Sequence, residues 1–482
     1  MEQNNDHAKN TEKFIRMTTQ PVEKLIAKLA VPTIISMLVT SFYNLADTFF
    51  VRQLENDSMV AAVGVVLPLM TLIQAFGFFC GHGSGNYISR AYGKQDYKDA
   101  ETMAATGFCY AVLFGLIIGV LGLVFIDPLA LLLGAKTEAT IRSTIDYMRY
   151  ILYATPFMTG AIVMNNQLRM QGNAFFAMIG LTSGAIVNIV LDPILIYSAG
   201  DTLAGGSVTM PFGAGMGVGG AALATAVSQI LSFFILFIGV TKSDNIKIHL
   251  KNFSPRLYYI KNIVRGGLPS LGRQGVSSVA VACLNHAVGI YVQDSIMIDA
   301  VQAAMTGVSK IMNFLTSALT GFGQGFQPVC GFNYGAKMYD RVKKSFWFAI
   351  KLGTGIMLAL SLAGIFFAPQ LIKFFRDDPE VIKVGAFMLR AQSLTYPLMP
   401  IATIGSMFLQ TLGKATRASL LAVARQGMFL IPALLLMTKL FDLVGFQISQ
   451  PVADLLAFAL GVFFIVGVFR EMDRFSQEAK RV

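Results

Sequence analysis

Apolar stretches long enough to cross a bilayer recur about twelve times along the 482 residues. They lie near 25–53, 58–90, 97–126, 140–165, 172–198, 216–240, 263–293, 300–332, 342–368, 381–409, 415–439 and 449–470. A span takes about 20 residues at 1.5 Å rise, and several of these are longer, which predicts tilted or bent helices that project past the bilayer. Pro32, Pro156, Pro193, Pro269, Pro397 and Pro432 fall inside spans and mark the expected bends.

Two polar interruptions stand out. Asp47 sits alone in LAVPTIISMLVTSFYNLADTFFV and Asp192 alone in MIGLTSGAIVNIVLDPILIY. A carboxylate in hydrocarbon costs several kcal/mol, so one that persists there points to function. Asp47 ends a stripe at helical spacing that includes Thr33, Ser36, Thr40 and Asn44, and Asn188 lies one turn before Asp192. The bland alternative is a hydrogen-bonded structural acid near a helix end. The eighth span carries a longer polar face of Lys310, Asn313, Ser317, Thr320, Gln324 and Gln327. Such a face does not meet lipid; it lines a cleft or packs against other helices.

The two halves repeat. At an offset of about 241, Asn44, Pro156 and Gly172 fall on Asn285, Pro397 and Gly413. At about 242, Gly81, Gly83, Tyr92 and Gly93 fall on Gly323, Gly325, Tyr334 and Gly335. Six spans per repeat is an even number, so both halves enter from one side. That predicts an all-α polytopic membrane protein of two six-helix lobes, related by a pseudo-two-fold axis along the membrane normal. The expected parts are a polar leader over 1–20 (disordered or lying on the surface), an N-lobe over 21–240, a linker over 241–262, a C-lobe over 263–470 and a tail over 471–482. Glycines 81, 83, 85, 321, 323 and 325 read as places of close helix approach rather than a phosphate cradle.

Composition agrees with this picture: 54% of residues are hydrophobic and 13% charged, against about 25% charged in soluble proteins. The net charge of +11 is largely topological. About 25 Lys and Arg fall on the side holding both termini and the 241–262 linker, against about 7 opposite, so that side is expected to be cytoplasmic, with the Gly-rich 199–220 loop outside. Nucleic-acid motifs are absent. Cys80, Cys109, Cys283 and Cys330 show no metal or redox spacing and read as small buried hydrophobes. His82 and His286 are lone histidines, more often packing or hydrogen-bonding residues than ligands, and no nucleophile–base set suggests an enzyme.

Several motifs resemble the multidrug and toxic compound extrusion (MATE) family over essentially the whole chain. They are Pro32, Tyr43 and Asp47 in the first span, YISRAYGKQD closing the second, NIVLDPILIY in the fifth, GGAALATAVSQ in the sixth and GFGQGFQPVCGFNYGA in the eighth. The resemblance implies two six-helix lobes around a central cleft and efflux of substrate in exchange for Na⁺ or H⁺. It also implies an N-lobe cation site at Asp47, Asn188, Asp192 and Thr225, with Pro32 and Tyr43 where the first helix bends; Asn44, on the same stripe as Asp47, is a further candidate for that site. Spacing independently supports one level: Asp47 and Asp192 each lie about six residues, roughly 9 Å, from the outer end of their spans, and Thr225 about nine residues. Oxygen donors of this kind suit Na⁺, and two close carboxylates can instead hold a proton.

The C-lobe departs from a simple cationic-drug pump. Arg273, Lys310 and Arg425 sit near mid-span, Arg390 nearly so, and no acid is expected at their level, since Asp294, Asp299 and Asp454 read as nearer the outer surface. Either these cations snorkel or pair with carbonyls, or they face the cleft with Asn313, Ser317 and Gln324 and favour anionic or zwitterionic substrates. The reading is a monomeric, secondary-active multidrug exporter in the cell membrane, acting on small organic substrates among membrane lipids. It needs no nucleic acid and no cofactor beyond the coupling ion. The alternative is a lipid-linked precursor flippase of related two-lobe architecture; the absence of a repeated filter motif disfavours a channel.

Overall fold

The computed structural model describes residues 2–54, 56–203, 208–242, 247–291 and 295–481. It is helical almost throughout; among the described residues the strands are one short antiparallel pair, Thr202–Leu203 with Val208–Thr209, inside the Gly-rich loop. The helices fall on the expected spans. The first half holds α2 (Val22–Arg52), α3 (Asp57–Gly93), α4 (Tyr97–Val124), α6 (Glu138–Met170), α7 (Ala174–Ile196) and α8 (Gly217–Lys242), with α1 (Glu2–Thr19) before them and a short α5 (Ile126–Leu133) between. The second half holds α9 (Leu257–Tyr291), α10 (Ser295–Gly335), α11 (Tyr339–Phe366), short α12 (Ala368–Phe375), α13 (Pro379–Ser393), α14 (Met399–Thr411), α15 (Ala415–Val423) and α16 (Leu430–Arg481). Among the described residues, seven helical segments are long and apolar enough on their own to cross a membrane. Large apolar side chains such as Leu116, Val120 and Val124 on α4 are exposed, the reverse of a water-soluble surface. This is a multi-pass membrane protein.

Of the two states expected for the leader, disordered or lying on the surface, the first is not met: Glu2–Thr19 form α1, with Met17 buried and the Asn333 amide donating to the Met17 carbonyl at 3.1 Å.

The repeat is visible in the backbone. The turn after α3 passes through Gln95 at φ 60 and the turn after α10 through Lys337 at φ 59, a left-handed conformation that ordinary residues seldom adopt. In both, a backbone N–H reaches back five residues, Asp96 to Ala91 at 3.0 Å and Met338 to Asn333 at 2.9 Å, closing the helix end. Gly172 after α6 and Gly413 after α14 take φ 82 and 78, where glycine carries no Cβ penalty. The start of the fourth span is capped alike in both halves: Thr137 accepts from the Thr140 N–H at 3.2 Å, and Asp378 from the Glu380 N–H at 2.9 Å. Gly83 and Gly325 each admit a neighbouring backbone. A Cβ on Gly83 would run into the Ile263 carbonyl, and one on Gly325 into the backbone of Ala30. These glycines allow close helix approach, as expected.

The repeat is not complete. Pro156 stays within continuous α6, whereas Pro397 sits in a 3-10 turn, Tyr396–Leu398, that separates α13 from α14. Pro32, Pro193 and Pro269 likewise lie inside single helices. The sharp irregularities lie elsewhere. A π-helical turn covers Ala424–Met428, just before Pro432, whose missing N–H cannot bond back to Met428. Within α16 the chain turns at Asp442, φ 50 and ψ −128, so that α16 supplies two spans.

The compact units also divide differently from the expected lobes. One comprises 1–13 and 35–267, the other 14–34 and 268–482, so the three boundaries fall inside helices α1, α2 and α9 rather than in the 241–262 linker. In the first unit α6 is central, packed on α3, α4 and α8 around Val66, Ile73, Ile151 and Met158. In the second, α10 packs on α11, α13 and α14, where Phe326, Phe346 and Phe408 cluster with ring centroids 4.6–6.5 Å apart.

Candidate cation and substrate sites

In the first unit, α2 carries Tyr43 and Asp47 four residues apart, and α7 carries Asn188 and Asp192 at the same spacing, so each pair shares a helix face. Thr225 comes from α8. The Asn188 amide donates to Asp192 Oδ1 and to Thr225 Oγ1, both at 3.3 Å. All three residues are sealed from solvent, with Asp192 0%, Asn188 1% and Thr225 3% exposed. Asp47 and Asp192 are close enough to act on each other electrostatically. Tyr43, Gln74 and Thr225 line two cavities in common: one of about 470 Å³ reaches Asp47, the other, of about 90 Å³, reaches Asn188.

The decisive feature is a deficit of donors. Asp47 Oδ1, Asn188 Oδ1 and Asp192 Oδ2 are buried and have no hydrogen-bond partner among the described residues. A buried acceptor left unmatched costs about 1–3 kcal/mol, more if charged. Asn188 and Asp192 are in contact and Asp47 lies within electrostatic reach of Asp192, so a bound cation or added protons would relieve these unmatched oxygens. The donor set of carboxylates, amide and hydroxyl is hard oxygen, which fits Na⁺ or H⁺ and not a thiolate-seeking metal. Among the described residues no cluster of three or more His, Cys, Asp or Glu offers another metal site.

Tyr147, on α6, was not singled out by the sequence reading. It is 1% exposed, lies within electrostatic reach of both aspartates, and its hydroxyl donates to the Met70 sulfur at 3.8 Å, a weak partner. A buried tyrosine on a span otherwise rich in charged residues was the available signal. Pro32 lies in α2 but in the other compact unit. The side chains of Asn44, His286, Asp294 and Asp299 lie outside the described residues. His82 is buried and stacks on Phe78 at 5.3 Å, a packing role.

In the second unit the expected group of mid-span cations separates into distinct environments. Arg425 is paired after all: its Nε donates to Asp454 Oδ1 at 2.7 Å, and Thr395 and Gln450 donate to the same carboxylate at 2.9 Å each. The expectation that no acid shares its level is therefore corrected. The last span begins just after Asp442, well before the apolar run at 449, so Asp454 lies about twelve residues, roughly 18 Å, along its helix. Arg390 donates to the Ile365 carbonyl at 3.1 Å. Lys310 lies over the Phe375 ring, 5.9 Å from its centre, and lines neither of two cavities in this unit. Asn313 lines one cavity, while Gln324 is buried in helix packing and Ser317 is half-buried and lines neither. Arg273 lines a cavity.

Comparison with known proteins agrees with this architecture. The chain is 26% identical over 461 residues to the multidrug export protein MepA of Staphylococcus haemolyticus (strain JCSC1435), covering 94% of this chain and 95% of that one. It is 26% identical over 467 residues to MepA of Staphylococcus aureus (strain MSSA476), covering 95% and 97%. Among solved structures it resembles the outward-facing conformation of a multidrug resistance MATE family transporter of the MOP superfamily, with TM-score 0.86, 26% identity and coverage of 95% and 98%. It also resembles a MATE crystal structure in the straight conformation, with TM-score 0.85, 27% identity and coverage of 95% and 99%. The MatE family profile matches residues 32–194 and 275–435, one match in each repeated half. With two matched repeats, a repeat-encoded backbone and a fold shared along nearly its whole length, the chain belongs to the MATE family.

Proposed function

We propose that the protein is a secondary-active exporter of organic compounds, driven by Na⁺ or H⁺ entering through the first unit. The observation that carries this reading is the trio of buried oxygens on Asp47, Asn188 and Asp192 that are unmatched among the described residues. An ion-free site of this kind is electrostatically costly, and cation or proton binding removes that cost. A state that favours the filled site is thereby populated at the expense of one that does not, which is what coupling an ion gradient to alternating access requires. The curated relatives' names, multidrug export proteins, support organic drugs as cargo. The flippase alternative drew on an unpaired cationic cluster, and the Arg425–Asp454 pair weakens that support.

The test is purified protein in proteoliposomes, with a Na⁺ or a proton gradient imposed alone. A gradient of one cation should drive accumulation of a cationic dye, and a dye gradient should drive flux of that cation in the opposite direction. Accumulation that is indifferent to both gradients would overturn the reading.

The reading also places the protein in the cytoplasmic membrane with both termini inside. Cysteines at Asp201 and Lys337, in a background lacking the four native thiols, should then label from opposite faces. An impermeant maleimide applied to intact cells is expected to reach position 201 and spare 337; equal labelling of both would refute the orientation.

A further inference from the structure

The second unit contains a cation that has no counter-charge among the described residues. Arg273, half-buried on α9, lines a cavity of about 80 Å³ together with Thr316, Thr320, Thr403, Arg425 and Gln426. Arg425 is neutralised by Asp454, whose oxygens already accept from Thr395 and Gln450. Arg273 has no hydrogen-bond or ion-pair partner among the described residues, and no acid lines its cavity.

The three threonines strengthen the case. Helical threonines elsewhere in this chain turn their hydroxyls back onto a carbonyl of the preceding turn, as Thr155, Thr182 and Thr438 do at 2.9, 2.8 and 2.5 Å. The hydroxyls of Thr316, Thr320 and Thr403 have no such partner among the described residues. A guanidinium with five N–H donors and three uncommitted hydroxyls thus face a small cavity holding no acceptor of matching charge. Beyond Arg425 a larger cavity of about 220 Å³ shares Thr316 and Gln426 with this one, and its walls include Val281, Leu284, Met305 and Phe446.

We infer that this pair of cavities is a binding site for organic carboxylates, with the acid group on Arg273 and the threonines and the apolar body in the larger chamber. A planar carboxylate matches the guanidinium fork with two parallel hydrogen bonds, and low dielectric makes the charge pairing strong. Arg425, held by Asp454, stands at the junction as a neutralised wall. Calling the carboxylate a cargo rests on the export reading, whereas the site itself does not. Carboxylate-bearing and zwitterionic compounds are therefore substrates alongside cations, with recognition of the acid and cation coupling placed on different units.

The experiment is equilibrium binding to purified protein in detergent, using 2-naphthoic acid and its methyl ester as matched probes. The acid is expected to bind at least about 10-fold more tightly than the ester. In R273Q the ratio should fall to about one, in R273K it should be intermediate because the fork is lost but the charge kept, and in T316V/T320V it should fall several-fold. Ester binding in each preparation reports whether the chamber is still folded. Equal binding of acid and ester by the wild type, or an undiminished ratio in R273Q, overturns the proposal. So does full displacement of the acid by equimolar chloride or sulfate, which would mean an inorganic-anion site. Because binding is read without a gradient, a protein that binds the acid but exports nothing refutes the export reading and leaves this site standing. One that exports cations but ignores the acid does the reverse.

Discussion

Asp47→Asn and Asp192→Asn should each insert and fold, yet lose gradient-driven export. Asparagine keeps the shape of aspartate and can still accept a hydrogen bond at Oδ1, so the Asn188 contact at position 192 survives. What disappears is the charge. A charge-assisted contact is worth about 1.5–3 kcal/mol, which translates to roughly 10–100-fold in cation affinity. Each variant should also be at least as stable as wild type in cation-free buffer, because an uncompensated buried charge has been removed. That combination separates a coupling role from a structural one, since a structural acid would lower the melting temperature on replacement. Cation-driven transport in proteoliposomes and thermal unfolding in detergent, with and without the coupling ion, measure both sides. Wild-type transport by either variant would eliminate that residue from coupling.

The second large effect is expected at the Arg425–Asp454 pair. Asp454 is 2% exposed at its side chain and Arg425 13%, so the pair lies well away from bulk water. Asp454→Asn strips the guanidinium of its counter-charge, and breaking a buried pair on one side typically costs about 3–5 kcal/mol. The expected result is a sharply lower melting temperature and reduced yield. Replacing both partners, Arg425→Met with Asp454→Leu, should recover most of that loss, since paired removal is close to neutral. If Asp454→Asn melted like wild type, the ion pair would carry no weight in the fold.

Much of the architecture could be read from the chain. A bilayer imposes a length and an apolar composition on anything that crosses it, and these are local properties, so the spans could be placed from hydropathy alone. The repeat was legible for a related reason. Turns that need a left-handed residue or a close approach reuse the same residues, which is why Gly172 with Gly413 and Gly83 with Gly325 line up. Asn188 and Asp192 were legible as partners because one helical turn places them on one face.

Register along interrupted helices was harder to read. Depth counted from the edge of an apolar run misplaced Asp454, because the polar residues Gln447, Ser449 and Gln450 belong to the helix although hydropathy assigns them to a loop. The same limit split the polar face of the eighth span. Periodicity says that Lys310, Asn313, Ser317 and Gln324 share a stripe, but each meets a different neighbour along the 41-residue α10: a Phe375 ring, a cavity or packed helices.

The sequence by itself determined that this is a repeated, all-helical membrane protein with two acids isolated in apolar runs. Those conclusions follow from composition and spacing, which do not depend on which helices become neighbours. Only the tertiary structure decided which charges are matched. It found a partner for Arg425 twenty-nine residues away and, among the described residues, found none for Arg273 and left one oxygen unmatched on each of Asp47, Asn188 and Asp192. Whether a buried polar group is satisfied depends on atoms brought from other helices, and no pattern within one span can supply that.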